Sequence, residues 1–280
     1  MKTIDLHVHS TCSDGTYTPT KLVEYAIEKK LTAFALTDHD TIAGLEEALT
    51  IANNRIEVIA GIELSTEYKG KDIHILGLEF DYHSPGFLVQ LSHFQNSREL
   101  RNEKMIIRLQ EHGFDISMQI LQDMFGNAIL TRAHFASHLV TYGYAKDIAE
   151  AFALYIGDNG SCFVPREKVT PGQAVHFIRR AGGIPILAHP LIYRLSEEEL
   201  LSLVKDLKKA GLIGIETLYS THSKIEEDYV RRLAKTNGLL ISGGSDFHGA
   251  NKPTIDLGCG KGNLQIPYNI LKQLRVAKEK

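Results

Sequence analysis

The sequence predicts an α/β barrel of about seven strands, interrupted by an inserted all-helical subdomain. Three observations predict it. Short apolar runs alternate with amphipathic helical patterns through about the first eighty residues, and again after about residue 165. Between them, residues 83–160 carry helical patterns and no strand-like run of any length. Most of the strand-like runs end in a histidine or a carboxylate.

The elements follow in order. "TIDLHV" reads as the first strand; Ile4, Leu6 and Val8 alternate with Asp5, His7 and His9, which places the two groups on opposite sides. "TPTKLVEYAIEKK" reads as a helix with Thr18 as N-cap and Pro19 in its first turn. Then come a strand "AFALTDHD", a helix "TIAGLEEALTIANN", and strands "EVIAGIELS" and "DIHILGLEF". "GFLVQLSHFQNSRELRNEKMIIRLQEHG" predicts one long helix, followed by "SMQILQDMF", "TRAHFASHLVTYG" and "KDIAEAFALYIGD".

The alternation resumes with a helix "TPGQAVHFIRRAGG" and a strand "IPILAHP". The helix "SEEELLSLVKDLKKAG" has a capping box of Ser196 and Glu199, with Gly211 past its end. "LIGIETL" is a strand, "SKIEEDYVRRLAKTNG" a helix and "GLLISGGSDFH" a strand. Such alternation implies parallel strands joined by crossover helices. The expected division is a barrel of residues 1–82 and 161–280 with a helical insertion at 83–160.

The 280 residues suffice for a sizeable core, and 43% hydrophobic with 23% charged residues is ordinary for a globular protein. A net charge of -3 argues against a long electrostatic groove for nucleic acid. The three cysteines, Cys12, Cys162 and Cys259, form neither a disulfide framework nor a zinc motif, which fits a reduced cytoplasm. No apolar leader or membrane-length run is present, so neither a signal peptide nor a membrane partner is expected.

The strand ends carry the chemistry. His7, His9, His39, Glu63, His74, His189, Asp246 and His248 fall in or just after these runs, with Asp14 close behind the first. In a parallel barrel these ends converge on one face. A lone histidine there is ordinarily a hydrogen-bonded structural residue. Six of the chain's 13 histidines at one barrel end are different, because such a polar cluster is costly unless cations compensate it. Six imidazoles and three carboxylates are too many for one ion and suit three divalent ions, with water in the open positions. The nitrogen and oxygen donor set without thiolate suits manganese, iron or zinc over copper(I) or calcium, and manganese is the expected ion. Three such ions bring about +6, three carboxylates about −3, and a bridging hydroxide leaves about +2, which a phosphate monoester would neutralise.

The stretches "DLHVHSTCSDGT", "LTDHDT", "GIELST", "HILG", "AHP" and "GGSDFH" resemble the PHP (polymerase and histidinol phosphatase) superfamily from residue 1 to about 250. The chain is most similar to its bacterial phosphoesterases with a helical insertion. That group includes nucleoside 3',5'-bisphosphate phosphatases and 5'-3' exoribonucleases acting on short RNA. The resemblance implies a distorted (β/α)7 PHP barrel. It also implies that His7, His9, Glu63 and Asp246 hold one metal, Glu63, His74 and His189 a second, and Asp14, His39 and His248 a third.

The expected reaction is hydrolysis of a phosphoester by a metal-activated hydroxide, on a nucleoside 3',5'-bisphosphate or the 5' end of short RNA. His39 and Glu63 are the catalytic candidates within the metal set. His222 and Asp40 are candidates for proton donation to the leaving group. In the insertion, Arg98, Arg101, Arg132 and His134 are candidates for a second phosphate, since guanidinium forks match phosphate oxygens; Arg108 reads as surface. Glu216 is expected to hydrogen-bond a ligand histidine. Rival readings are a histidinol-phosphatase-like enzyme, an amide hydrolase on a metal barrel, and a non-catalytic metal- or nucleotide-binding module.

Overall fold

The computed structural model describes residues 2–165 and 169–279. Strands β1 (Thr3–Val8), β2 (Ala33–Leu36), β3 (Glu57–Tyr68), β4 (Lys71–Leu78), β5 (Ile184–Leu187), β6 (Gly214–Tyr219), β7 (Leu240–Gly244) and β8 (Ile266–Pro267) form one sheet in the order β7-β6-β5-β4-β3-β2-β1-β8. The sheet curls until its ends meet: His9 N donates to Phe247 O and Asp246 N to His7 O, at 3.0 and 2.9 Å. These bonds, just beyond β7, bring the first and last strands of the metal motif together.

The seven expected strands are present, with two differences. β8 is a two-residue strand antiparallel to β1. β4 runs antiparallel to both β3 and β5, so the barrel is not uniformly parallel. The cause is local. Lys69 and Gly70 both have positive φ, 52° and 78°, as a tight two-residue hairpin turn requires. No helix separates β3 from β4. As a result His74 reaches the mouth from the early part of its strand, paired with Ser65 two residues beyond Glu63.

The β1 alternation also breaks. The register with β2 shifts between Asp5 and Val8. Ile4 and Leu6 join an interior cluster with Ile186, Ile266 and Leu271, whereas Val8 joins the helix-facing core, so the three are not on one side.

Helices α1 (Pro19–Glu28) and α2 (Leu45–Ala52) cover the first strands. α3 (Pro85–Glu111), α4 (Met118–Phe125), α5 (Arg132–Thr141) and α6 (Ile148–Ala151), the last continued by a π-helical turn Phe152–Ile156, fill the space between β4 and the later helices. α7 (Pro171–Arg180), α8 (Glu197–Ala210) and α9 (Lys224–Thr236) follow. α10 (Asn269–Lys278) sends Ile270, Leu271 and Leu274 into the interior cluster. The sequence reading did not place α10.

Local chemistry sets the boundaries. Thr18 accepts from Lys21 N, Ser196 and Glu199 form a reciprocal capping box, and Gly211 ends α8 at φ 105°. α3 divides its packing. Phe87, Leu91 and Phe94 join the main core, whereas Met105, Ile106 and Leu109 join Leu121, Phe135, Leu139 and Ile156 in a separate core made by the insertion.

Candidate metal centre

Nine side chains converge at the barrel mouth. The Glu63 carboxylate sits among them with its oxygens divided. Oε1 lies 2.9 Å from His74 Nδ1 and 3.0 Å from His189 Nε2. Oε2 lies 3.1 Å from His7 Nε2, 3.1 Å from His9 Nε2 and 3.3 Å from His39 Nδ1. Asp246 Oδ1 lies 3.4 Å from His9 Nε2 and 3.3 Å from His248 Nδ1. Asp14 Oδ1 lies 3.2 Å from His248 Nε2, and Asp14 Oδ2 3.8 Å from His39 Nε2. Four overlapping donor groups result: His9, Asp14, His39 and His248; His7, His9 and Asp246; His7, Glu63 and His189; His39, Glu63 and His74. The trio implied for the third metal is together, with His9 beside it. Glu63 joins two groups that share no other residue, one with His7 and His189 and one with His39 and His74; the implied set of Glu63, His74 and His189 is not among the four.

Whether the residues fit metal ions can be tested on the orphaned atoms. His7 Nε2, His9 Nε2, Asp14 Oδ1, His39 Nδ1 and His74 Nδ1 are buried without a hydrogen-bond partner, although each faces other donor atoms. Buried polar groups are ordinarily satisfied. Nitrogen and oxygen atoms aimed at a common space are what a cation satisfies. The residues fit.

Electrostatics agree. Burial pushes the carboxyls of Glu63, Asp14 and Asp246 up, but the surrounding imidazoles, and Lys252 at Asp246, outweigh it and hold all three well below the ordinary range. Burial pulls His39, His189 and His248 down, leaving neutral imidazoles. Ionised carboxylates and neutral imidazoles are the forms that bind cations. His7 and His9 differ: burial lowers both, but the Glu63, Glu216 and Asp246 carboxylates hold His7 well above the ordinary imidazole range, and Asp246 and Glu63 raise His9 to about 9.

Supporting residues fix these side chains. Glu216 Oε1 lies 3.1 Å from His7 Nδ1, and its Oε2 accepts from His189 N at 2.8 Å, so one carboxylate orients two candidate ligands. Asp38 accepts from Ser10 N, Ser10 Oγ and Ser13 Oγ at 2.7, 2.6 and 2.6 Å, shaping the loop from His9 to Asp14. Tyr219 donates to Asp246 Oδ2 at 2.7 Å and Lys252 Nζ lies 2.5 Å from the same atom. Asp246 and Asp40 hold left-handed backbone, φ 58° and 50°, at the ends of their motifs. Gly244 is required by contact: a Cβ there would lie 2.2 Å from His7 Cβ.

A cavity of about 250 Å³ opens over the cluster. Arg98, Arg101 and Arg132 line it from the insertion. Arg98 is clasped by Asp40, and Arg132 Nη2 lies 2.9 Å from Asp72. Arg101 Nε donates to Asn102 Oδ1 at 2.9 Å. His134 does not line the cavity; its Nδ1 accepts from Thr131 N at 2.9 Å in the capping box of α5. His222 does not line it either; its Nδ1 lies 3.0 Å from Thr217 O and its ring packs on Tyr219. Arg108 is exposed and donates to Phe163 O. Sequence reasoning missed Thr131, whose hydroxyl donates to Asp14 Oδ2 at 2.9 Å, and also Lys252, Tyr219 and Asn251. A larger groove of about 790 Å³ between α3 and α7 holds none of the nine.

A PHP domain model matches residues 5–164. A 5'-3' exoribonuclease from Haemophilus influenzae is 38% identical over 88% of this chain and 90% of its own. A 3',5'-nucleoside bisphosphate phosphatase from Chromobacterium violaceum is 34% identical over 92% and 91%. Among solved structures, an amidohydrolase from Chromobacterium violaceum, with sulfate bound and no metal, superposes with a TM-score of 0.87 at 31% identity, covering 98% of this chain and 96% of that one.

Proposed function

The chain belongs to the PHP domain family and is a phosphoesterase, and we propose that it hydrolyses a nucleoside 3',5'-bisphosphate or the 5'-terminal nucleotide of short RNA. The observation that carries the reading is the division of the Glu63 oxygens between two groups of imidazoles beneath a cavity lined with arginines. The two candidate substrates share a 5'-phosphorylated nucleotide with a further phosphate on its 3' side. That chemistry needs a reaction centre and a second anion site, and the cavity offers both.

His7, His9, Asp14, His39, Glu63, His74, His189, Asp246 and His248 would hold up to three divalent ions, manganese foremost. Bound there, such ions supply an acidified water as nucleophile and neutralise phosphate oxygens. The protein's own groups do the rest. Glu63 and His39 hold the reacting region together, and Glu216 keeps His7 Nε2 turned into it. Arg101 and Arg132, which line the cavity, would take the non-reacting phosphate. Arg98 acts at one remove, by holding Asp40. The helical insertion of residues 83–160 therefore serves as the specificity subdomain, because its arginines form one wall of the site.

The test is phosphate release with manganese from adenosine 3',5'-bisphosphate, a 5'-phosphorylated dinucleotide and histidinol phosphate, side by side. Preference for the first two supports the reading. Preference for histidinol phosphate, or turnover of none, would overturn it.

A further inference from the structure

We infer that Thr131 and His134, the two ends of the "TRAH" segment, are positioning residues for one cation site, the one offered by His9, Asp14, His39 and His248. The inference rests on the metal reading above. Asp14 belongs to that group of donors and to no other of the four. It is also carried differently. Glu63 lies within β3, whose ladder fixes its backbone, whereas Asp14 lies in the turn after β1.

The start of α5 holds that turn. Ile129 N donates to Cys12 O at 3.0 Å, the His134 ring hydrogen-bonds the Ser13 backbone, and Thr131 Oγ1 donates to Asp14 Oδ2 at 2.9 Å. Residues 129–134 of the insertion thus bind three successive residues of the turn. Thr131 and His134 are both buried.

The capping of α5 sets the protons. Thr131 Oγ1 accepts from Ala133 N at 3.2 Å, and its own proton goes to Asp14. His134 Nδ1 accepts from Thr131 N at 2.9 Å, which leaves the ring proton on Nε2 for the Ser13 carbonyl. With Asp14 Oδ2 so occupied, Oδ1 is the oxygen left for a cation. It is buried without a partner, 3.2 Å from His248 Nε2. Groups that orient a ligating carboxylate govern the metal's affinity. His7, His189 and Asp246 are instead held from the barrel, by Glu216 and Tyr219 of β6. The insertion therefore builds one cation site as well as one wall of the cavity.

The test is manganese titration of the metal-free protein, with free ion counted by electron paramagnetic resonance. Thr131→Val, which keeps the shape without the hydroxyl, should weaken one binding step by about 10–100-fold and leave the others unchanged. His134→Leu cuts a different bond to the same turn and should weaken the same step. So should Asp14→Asn, and adding Thr131→Val to it should cause no further loss. Thr131→Ser, which keeps the hydroxyl, should bind as the native protein does. Ser117→Ala removes the comparable cap of α4, also in the insertion, and should lower the unfolding midpoint without altering any step. A native isotherm for Thr131→Val would overturn the inference. So would equal weakening of every step, or Thr131→Ser behaving as Thr131→Val. Native protein that takes up no manganese would sink the metal reading itself, and the inference with it.

Discussion

Arg98, on the inserted helix α3, donates from Nε and Nη2 to Asp40 Oδ2 at 2.8 and 2.5 Å, with both side chains buried. Asp40 follows His39 directly, holds left-handed backbone, and accepts from Ser65 N through its other oxygen at 3.0 Å. One buried ion pair thus ties the insertion to the segments carrying His39 and Glu63. Removing one partner of such a pair costs about 3–5 kcal/mol, because the other charge is left uncompensated. Arg98→Ala should therefore lower the unfolding midpoint and reduce kcat with little change in KM. Thermal unfolding and steady-state kinetics check this; a raised KM alone would make Arg98 a substrate contact.

Glu216 orients His7 and His189 without facing the space between the ligands. Glu216→Gln keeps the shape but weakens acceptance from both. A loss of about 10–100-fold in metal affinity is expected. Titration of the metal-free protein with manganese measures it, and unchanged affinity would remove Glu216 from the account.

Protons compete with cations at His9. Burial lowers its pKa, but the adjacent Asp246 and Glu63 carboxylates raise it to about 9 in the metal-free protein. A protonated imidazole cannot ligate, so binding must expel this proton. His7 is held well above the ordinary imidazole range as well, so manganese affinity should rise with pH through the neutral and mildly alkaline range. Calorimetry in buffers of differing ionisation enthalpy checks the sign, since proton release at pH 7 is expected and proton uptake is not.

Gly244 sits where β7 crosses His7. A Cβ there meets His7 Cβ at 2.2 Å and Glu216 Oε1 at 3.0 Å. Gly244→Ala should destabilise by about 1–3 kcal/mol as backbone shifts absorb the clash. Denaturant midpoints report this, and a silent substitution would show that the approach is looser.

Much of this was legible in the sequence, for a physical reason. Strand ends carrying His7, His9, His39, His189 and Asp246 can converge only if the strands curl into a barrel, so motif and fold predicted one another. What stayed hidden depends on contacts between distant segments. Spacing places Arg98 on a helix face but cannot show that Asp40 lies against it. His134 stands in "TRAH" either as a ligand contact or as a cap, and only the backbone geometry at Thr131 distinguishes them. The antiparallel β4 hung on two residues, Lys69 and Gly70, that sit between two strand-like runs without an obvious turn dipeptide.

The most direct test of the central claim is phosphate release from adenosine 3',5'-bisphosphate before and after exhaustive chelation, followed by return of manganese. The account predicts that activity disappears with the cations and comes back with them, and that Glu63→Gln, which weakens the shared carboxylate, recovers little. A chelated enzyme that kept its full rate would contradict it.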